Sequence, residues 1–186
     1  MIIKRRITEL ESMAKKMRDS FFIRKSLLTD NTGTFAQTEI DLGSYVDALG
    51  MAVLRVHNIA VAWTDSTGNA GQVAAASDSA AAQFQITTQS QTDTVLPSDR
   101  SVVSSGIIYA QNSFGSDEFP LVSHDMDNLP QLWTNGYLIA TETIYLGGEA
   151  SSGWLAAEDM TVSVIMECTV EKMSKEAALA LALSQQ

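Results

Sequence analysis

The segment 160–170 alternates apolar and polar residues along its whole length, and this pattern constrains the fold more than any other feature. Alternation with a period of two is typical of a β-strand that has one buried and one exposed face. Ile165 is the one apolar residue on the outer side of the pattern. We predict that Cys168, the only cysteine, is a small core residue, so neither an intrachain disulfide nor a cysteine-based metal site is expected. The residues of the inner side are Val162, Val164, Met166, Cys168 and Val170.

Further segments combine alternation with β-branched and aromatic residues and are also predicted to be strands. They are 34–42, 51–63, 82–89, 102–111 and 137–146. Long connections of small polar residues separate them, among which 112–130 is a predicted loop. No helix long enough for a crossover between parallel strands is predicted in this region, which favours an all-β fold, an antiparallel sandwich or barrel of about seven or eight strands.

Three local features refine this outline. Within 51–63 the alternation changes phase at His57-Asn58, which predicts a β-bulge. The strand 137–146 is predicted to stop at the pair Gly147-Gly148. Residues 75–82 could form a helical turn instead of a strand.

A short helix is predicted after the last strand, with Ser174 as its N-cap. At about ten residues it is too short to be stable alone, so we expect it to pack on the body or on a partner. The predicted domain organisation is therefore a helical arm over 1–30, a β-sandwich body over 31–173 and a C-terminal helix over 174–186.

The N-terminal arm is predicted to be helical because its apolar residues recur at spacings of three and four, which places them on one helical face. A turn signal at 30–33 closes the arm. The face is expected to pack on the body or on a neighbouring subunit. Its residues are Ile3, Ile7, Leu10, Ala14, Met17 and Phe21.

The net charge of the chain changes sign near the end of the predicted arm. Eight of the twelve lysines and arginines lie in residues 1–25 beside three carboxylates, a net charge of +5, whereas the rest of the chain carries a net charge of −15. Such a split indicates a cationic arm that meets an anionic partner, either nucleic acid or anionic lipid. The residues predicted to contact that partner are Lys4, Arg5, Arg6, Lys15, Lys16 and Arg18.

Candidates for chemistry are few. His57 and His124 are the only histidines, and His57 lies at the predicted bulge, where a structural role is expected. Asp125 and Asp127 could coordinate a calcium-like ion from a flexible loop, but the glycine and distal glutamate of an EF-hand are missing, so an ordinary acidic loop is favoured. No nucleophile elbow, Walker loop or dinucleotide fingerprint occurs, and we therefore predict a protein that is not an enzyme and uses no metal or cofactor.

The tryptophans offer another possibility. Trp133 and Trp154 lie in predicted loops and could stack against sugars or form subunit contacts, whereas Trp63 ends a core strand. The N-terminus lacks the apolar stretch of a signal peptide, and no apolar run approaches the about 20 residues that cross a bilayer. The sequence thus predicts a soluble protein made inside a cell.

With its basic arm, its run of predicted strands and its long loops, the chain resembles viral coat proteins of the single jelly-roll kind. The resemblance covers the whole length and is one of plan, without a diagnostic motif. It implies a jelly-roll-like antiparallel β-sandwich that assembles with copies of itself into a homo-oligomeric shell, located in the virion and assembled in the host cytoplasm. Other virion proteins, the genome nucleic acid or an inner membrane are implied partners of the arm.

The arm differs from the disordered, arginine-rich tails of many such proteins, because its pattern is that of an amphipathic helix. This favours helix packing at the inner face of the shell or against neighbouring subunits. The residues expected to make those contacts are Ile3, Ile7, Leu10, Met17 and Phe21. Two alternatives stay open, a carbohydrate-binding β-sandwich and a tail or decoration protein of a virion.

Overall fold

A computed structural model of the chain describes residues 20–47, 49, 51–73, 79–111, 121–154 and 159–186, and for 121–128 it gives the course of the backbone only. Nine β-strands and one α-helix lie in these ranges, together with a short 3₁₀ turn at Pro130–Leu132. The strands are β1 Phe21–Leu28, β2 Ala36–Asp41, β3 Ala52–Asp65, β4 Ser79–Thr87, β5 Val102–Gln111, β6 Leu121–Asn128, β7 Tyr137–Ile139, β8 Thr143–Ala150 and β9 Met160–Lys172, and the helix is α1 Lys175–Ser184.

The strands form two antiparallel sheets. The first sheet has the order β1-β9-β3-β7, and the second has the order β2-β8-β4-β5-β6. Strands from the two ends of the chain pair with each other: β1 with β9, β2 with β8, and β3 with β7, while β4 pairs with β5 in the middle. The predicted all-β antiparallel sandwich is confirmed.

The core lies between the two sheets and is made by their inward side chains. The alternation predicted for 160–170 is confirmed, because its inner residues up to Cys168 are buried and Ile165 points outward with 38% of its surface exposed. The buried members of the core are Leu27, Ile40, Leu42, Val46, Leu54, Val56, Ile59, Phe84, Ile86, Val103, Leu129, Ile139, Ile144, Leu146, Val162, Val164, Met166 and Cys168.

The predicted bulge is present in β3. The register with β9 shifts between Val56 and Asn58, so that Val56 and Ile59 both reach the core. β7 pairs with β3 only as far as Val56. Beyond the bulge, the side-chain amide of Gln131 forms hydrogen bonds with the backbone of β3 in place of a strand. The Ile59 N–H donates to Gln131 Oε1 at 3.1 Å, and Gln131 Nε2 donates to the Ile59 carbonyl at 3.1 Å, as a neighbouring strand would.

The arm is shorter than predicted, because Phe21–Leu28 is a strand and not the end of a helix. Phe21 fits the helical spacing of the arm, yet the segment 21–28 also alternates, with Phe22, Arg24, Ser26 and Leu28 exposed. β9 offers a complete edge for pairing, and the resulting backbone hydrogen bonds decide the outcome over local propensity. The sandwich therefore begins at Phe21 and not at residue 31, while residues 1–19 of the predicted arm lie outside the described residues.

Gly147 and Gly148 lie inside β8, where a strand end was predicted, and the predicted strand 137–146 is divided between β7 and β8. The reason is packing across the sheet. Phe84 pairs with Gly148 on one side and with Gly106 on the other, and a Cβ at Gly148 would lie 2.8 Å from the carbonyl oxygen of Gln83 in the neighbouring strand. A side chain at Gly147 would meet the ring of Phe35, because a Cβ there would lie 2.5 Å from Phe35 Cζ.

Two further predictions are corrected in the second sheet. β6 lies within 112–130, the span predicted to be a loop, and it pairs with β5. Its polar sequence hides it from pattern analysis, because an edge strand needs no continuous apolar face. Ser79–Thr87 is a strand, so the helical turn considered for 75–82 is excluded from residue 79 onward.

The C-terminal helix α1 is confirmed and packs on the body. The N–H of Ala177 donates to Ser174 Oγ at 3.3 Å, which caps the helix as predicted. Ala178 and Ala182 are buried against Val53 and Ala140, and the small side chains let the helix approach the sandwich closely.

The residue after α1 holds the helix in place. Gln185 is 3% exposed, its Nε2 donates to the Leu138 carbonyl at 2.7 Å, and its Oε1 accepts from the Ala140 N–H at 3.0 Å. Gln185→Ala would leave both backbone groups unpaired, so we expect a loss of about 1–3 kcal/mol in the free energy of unfolding.

Urea denaturation of the two variants Gln185→Ala and Gln186→Ala measures this effect, since Gln186 is exposed and serves as the matched control. An equal loss in both variants would contradict the role given to the buried amide.

Candidate interaction surface

The outward face of the first sheet is a strip formed by β1, β9 and β3, which we call the outer strip. Residues paired directly across a sheet share a face. The register gives four rows, which are Phe22–Glu167–Asn58, Arg24–Ile165–Ala60, Ser26–Ser163–Ala62 and Leu28–Thr161–Thr64.

The outer strip has three large exposed apolar side chains among small and polar ones. Phe22 and Leu28 are each 53% exposed, and Ile165 is 38% exposed between them. Ser26 and Ser163 are joined by a hydrogen bond of 2.8 Å between their hydroxyls, and beside them Ala60 and Ala62 are exposed. Because these small side chains lie between larger apolar ones, the backbone of another protein segment could approach the sheet closely here.

Charge is sparse on this surface. Of the residues that form the outer strip, Arg24 and Glu167 alone are charged. The guanidinium of Arg24 lies 5.4 Å from the centre of the Phe22 ring, so its charge is placed over an aromatic face. Exposed large apolar side chains on a weakly charged face, in a body that otherwise carries many carboxylates, are typical of a contact surface.

The second sheet is different, because the connection between β4 and β5 folds back over its outward face. Gln85 binds this connection as a strand would: its Oε1 accepts from the Val95 N–H at 3.0 Å, and its Nε2 donates to the Val95 carbonyl. Gln37 Oε1 accepts from the Gln91 N–H at 2.8 Å. The chain thus covers part of one outward face itself, and the outer strip has no such cover from the described residues.

Of the predicted contact residues of the arm, Phe21 alone is described. It points inward from β1, packs against the core and stacks on Tyr45 with ring centres 4.6 Å apart. Its partners are therefore within the same chain. Subunit or inner-face contacts by Ile3, Ile7, Leu10 and Met17, and anionic contacts by Lys4, Arg5, Arg6, Lys15, Lys16 and Arg18, concern residues outside the described ones and stay predictions.

A polar depression of about 420 Å³ lies beside the bulge of β3. Arg55 makes two hydrogen bonds to the carboxylate of Glu171, at 2.6 and 2.9 Å, and this pairing raises the pKa of Arg55. His57 Nε2 lies 2.9 Å from Thr169 Oγ1, which agrees with the structural role expected for this histidine. Trp133, 40% exposed, forms one wall.

The three tryptophans do not form one platform. Trp154 is 1% exposed, and its Nε1 donates to the Ala81 carbonyl at 3.0 Å, so the expectation that it is free to bind sugar is wrong. Trp154 and Met160 are the large side chains of a small buried cluster whose other members are four alanines. Trp63 packs against the core as expected, which leaves Trp133 as the one exposed tryptophan.

The weak metal candidates, Asp125 and Asp127, lie in β6 together with His124. The backbone of Asp125 pairs with Ile107 and that of His124 pairs with Ile108. The calcium hypothesis assumed a flexible loop at these residues, and the strand removes that assumption. Among the side chains that the structure describes, no three of His, Cys, Asp and Glu lie close enough together to hold a metal ion.

Cys168 is fully buried on the inner face of β9, as predicted. Burial and, to a smaller extent, the nearby charge of Glu167 raise the pKa of its thiol from 9.0 to about 12. The thiolate is the reactive form of cysteine, so this side chain stays protonated and inert at neutral pH. In the described part of the chain, no helix is both long enough and apolar enough to span a bilayer.

Comparison with known proteins does not assign the chain to a family. No protein-family model matches the chain, and no curated protein matches it either. A solved structure from desmodium yellow mottle tymovirus is similar over 83% of this chain and 89% of that chain, with 9% sequence identity and a TM-score of 0.29. A similarity at this TM-score carries no conclusion about function, which has to come from the strand order and the surface of the chain itself.

Proposed function

We propose that this chain is a non-enzymatic structural subunit of a virion, which assembles with copies of itself into a closed shell. The observation that carries the proposal is the strand order. The strands β1, β2 and β3 pair with β9, β8 and β7 in turn, and β4 pairs with β5. This order supports a jelly-roll arrangement, in which one long antiparallel hairpin is rolled across two sheets, with β6 added at the edge of the second sheet.

A jelly roll alone does not determine function, since viral coat proteins, lectins and cupins share it. Two features of this chain favour the coat protein. The outer strip exposes the large apolar side chains of Phe22, Ile165 and Leu28 and carries two charged residues of opposite sign, as expected of a surface that contacts other protein. In addition, residues 1–19 carry six cations and three carboxylates, a net charge of +3. They lead directly into β1, which is one of the three strands of this strip.

The cationic arm gives the proposed subunit a second partner. Lys4, Arg5, Arg6, Lys15, Lys16 and Arg18 meet the genome or an inner membrane, while copies of the chain and other virion proteins meet the body. The proposed location is the virion, after assembly in the host cytoplasm. The body from residue 20 onward has a net charge of −13, which keeps it away from the same anionic partner.

Carbohydrate binding is the second candidate, and the exposure of Trp133 beside a polar depression favours it. Its support is narrower than that of the shell subunit. Of the three tryptophans that suggested sugar binding, Trp133 alone is exposed and could stack against a sugar.

Sedimentation of the purified full-length chain tests the proposal. We expect the 20.1 kDa chain to convert into large particles as its concentration rises, with a threshold that depends on ionic strength. A chain that sediments as a monomer at all concentrations, across salt and pH, would contradict the proposed function.

A further inference from the structure

We propose that Asn135 is a site of spontaneous deamidation, in a turn whose geometry requires glycine as the next residue. The inference goes beyond the proposed shell subunit. It concerns the chemistry of the single folded chain and does not depend on what the chain assembles into.

The site is the turn over residues 133–136, which leads into β7. The N–H of Gly136 donates to the Trp133 carbonyl at 3.3 Å, and Asn135 is one of the two central residues of the turn. The backbone carbonyl of Asn135 accepts a hydrogen bond from Nη1 of Arg55. The backbone of the turn is thus held from two sides, whereas Asn135 itself is exposed to water.

Gly136 cannot be replaced without a change in this part of the fold. Its φ is +64°, in the left-handed region that residues with a Cβ rarely adopt. A Cβ at this position would also overlap the backbone carbonyl oxygen of Val56, where the pairing of β3 with β7 ends. The close approach of the turn to β3 therefore requires glycine after Asn135.

An asparagine followed by glycine is the pair in which a backbone nitrogen attacks a side-chain amide most readily, because glycine has no Cβ to hinder the attack. The nitrogen of Gly136 forms a bond to Cγ of Asn135 and gives up its proton to the side-chain nitrogen. The bond from Cγ to Nδ2 then breaks, and ammonia leaves. The product is a five-membered succinimide ring.

Water opens this ring in two ways. Addition at Cγ gives an aspartate at position 135 and restores the normal backbone. Addition at the backbone carbonyl carbon gives isoaspartate, in which the main chain runs through the side chain. Neither step needs an oxidant, a reductant or a cofactor, since water is the one co-reactant.

The turn permits the attack. The nitrogen of Gly136 has to leave its hydrogen bond to Trp133 first, and at 3.3 Å this bond is longer than the ~2.7–3.2 Å typical of N–H···O bonds. Asn58 and Asn69 are exposed as well, but Ile59 and Ala70 follow them, so a Cβ hinders attack at both. They are comparison sites within the same chain.

The product places a new carboxylate beside an existing ion pair. Arg55 binds the carboxylate of Glu171 through Nε and Nη2 and the backbone of Asn135 through Nη1. Isoaspartate also lengthens the main chain by one atom between positions 135 and 136. The turn then cannot keep both of its hydrogen bonds, and Trp133 shifts as the wall of the polar depression.

Peptide mass spectrometry of the aged chain tests the inference. The dilute full-length protein is kept at mildly alkaline pH and then digested at acidic pH, which stops the reaction during handling. The peptide that contains position 135 is expected to show the mass of a carboxylate in place of an amide. We expect this change to be at least about tenfold faster than at Asn58 and Asn69, because the barrier is lower where no Cβ follows.

Asn135→Gln is the matched control. Glutamine keeps an amide, but its longer side chain closes a ring much more slowly, and Arg55 contacts only the backbone carbonyl at this position. Labelling by protein isoaspartyl methyltransferase is expected in the aged unaltered chain and not in this variant. Gly136→Ala is not used, because the overlap with Val56 would disturb the fold.

An aged chain in which position 135 keeps its amide would overturn the inference, and so would equal rates at positions 58, 69 and 135. Neither result bears on the proposed shell, because assembly is measured separately by sedimentation.

Discussion

Replacing Phe84 by alanine is expected to lower the free energy of unfolding by about 3–5 kcal/mol. Phe84 is 1% exposed and stands between Gly148 and Gly106, so neither paired residue has a side chain that could move into the space. The loss should fall at the upper end of the range, because the cost of a cavity grows with the volume that the surroundings leave unfilled.

Urea denaturation measures the effect, and Phe22→Ala is the matched control. Phe22 is 53% exposed on the outer strip, and its replacement is expected to change the free energy of unfolding by about 0.5 kcal/mol or less. Similar losses in the two variants would contradict the location of the core.

Removal of residues 1–19 is expected to abolish assembly and to leave the sandwich folded. The chain 20–186 keeps every described strand, whereas a chain that begins at residue 29 also loses β1 and with it the pairing of the β9 edge. We therefore expect the shorter chain to unfold or aggregate, because Ile23 and Leu27 no longer contribute to the core.

Circular dichroism reports whether each truncated chain is folded, and sedimentation reports whether it assembles. Particles from 20–186 at the yield of the full-length chain would show that the arm is not required. The two truncations together separate a loss of assembly from a loss of fold, because only the second removes a strand.

The strands that carry their own alternation could be predicted from sequence. β9 and β3 are the clearest examples. The bulge in β3 could also be predicted, because the alternation of apolar and polar residues changes phase at His57-Asn58. β1 could not be assigned in the same way, since Phe21 and the residues before it also fit a helical spacing, and the choice is made by a distant edge of β9.

Other errors have the same origin in long-range packing. A pair of glycines usually ends a strand, but Gly147 and Gly148 continue β8, because the ring of Phe35 and the Gln83 carbonyl lie where their side chains would be. β6 is not recognised as a strand from its sequence, because most of its residues are polar. The connection between β5 and β6 gives no sequence signal that the two strands pair. Trp154 was expected in an open loop and is instead the filling of an alanine-lined cluster.

The candidate surface was only partly foreseeable. The outward Ile165 is visible as an exception to the alternation of β9, and it is the one sequence signal for an apolar patch on the outside. Its neighbours Ala60 and Arg24 come from strands far away in sequence, and the register that brings them together is set by pairing across the whole sheet. The extent of the outer strip therefore follows from the topology and not from any one segment.

Electron microscopy of the concentrated, purified full-length chain tests the central claim most directly. We predict closed particles of uniform size, with walls built from repeated sandwich subunits. Tubes or filaments would indicate a tail or another filament-forming virion protein, and a field of single 20.1 kDa molecules at every concentration and salt would contradict the account.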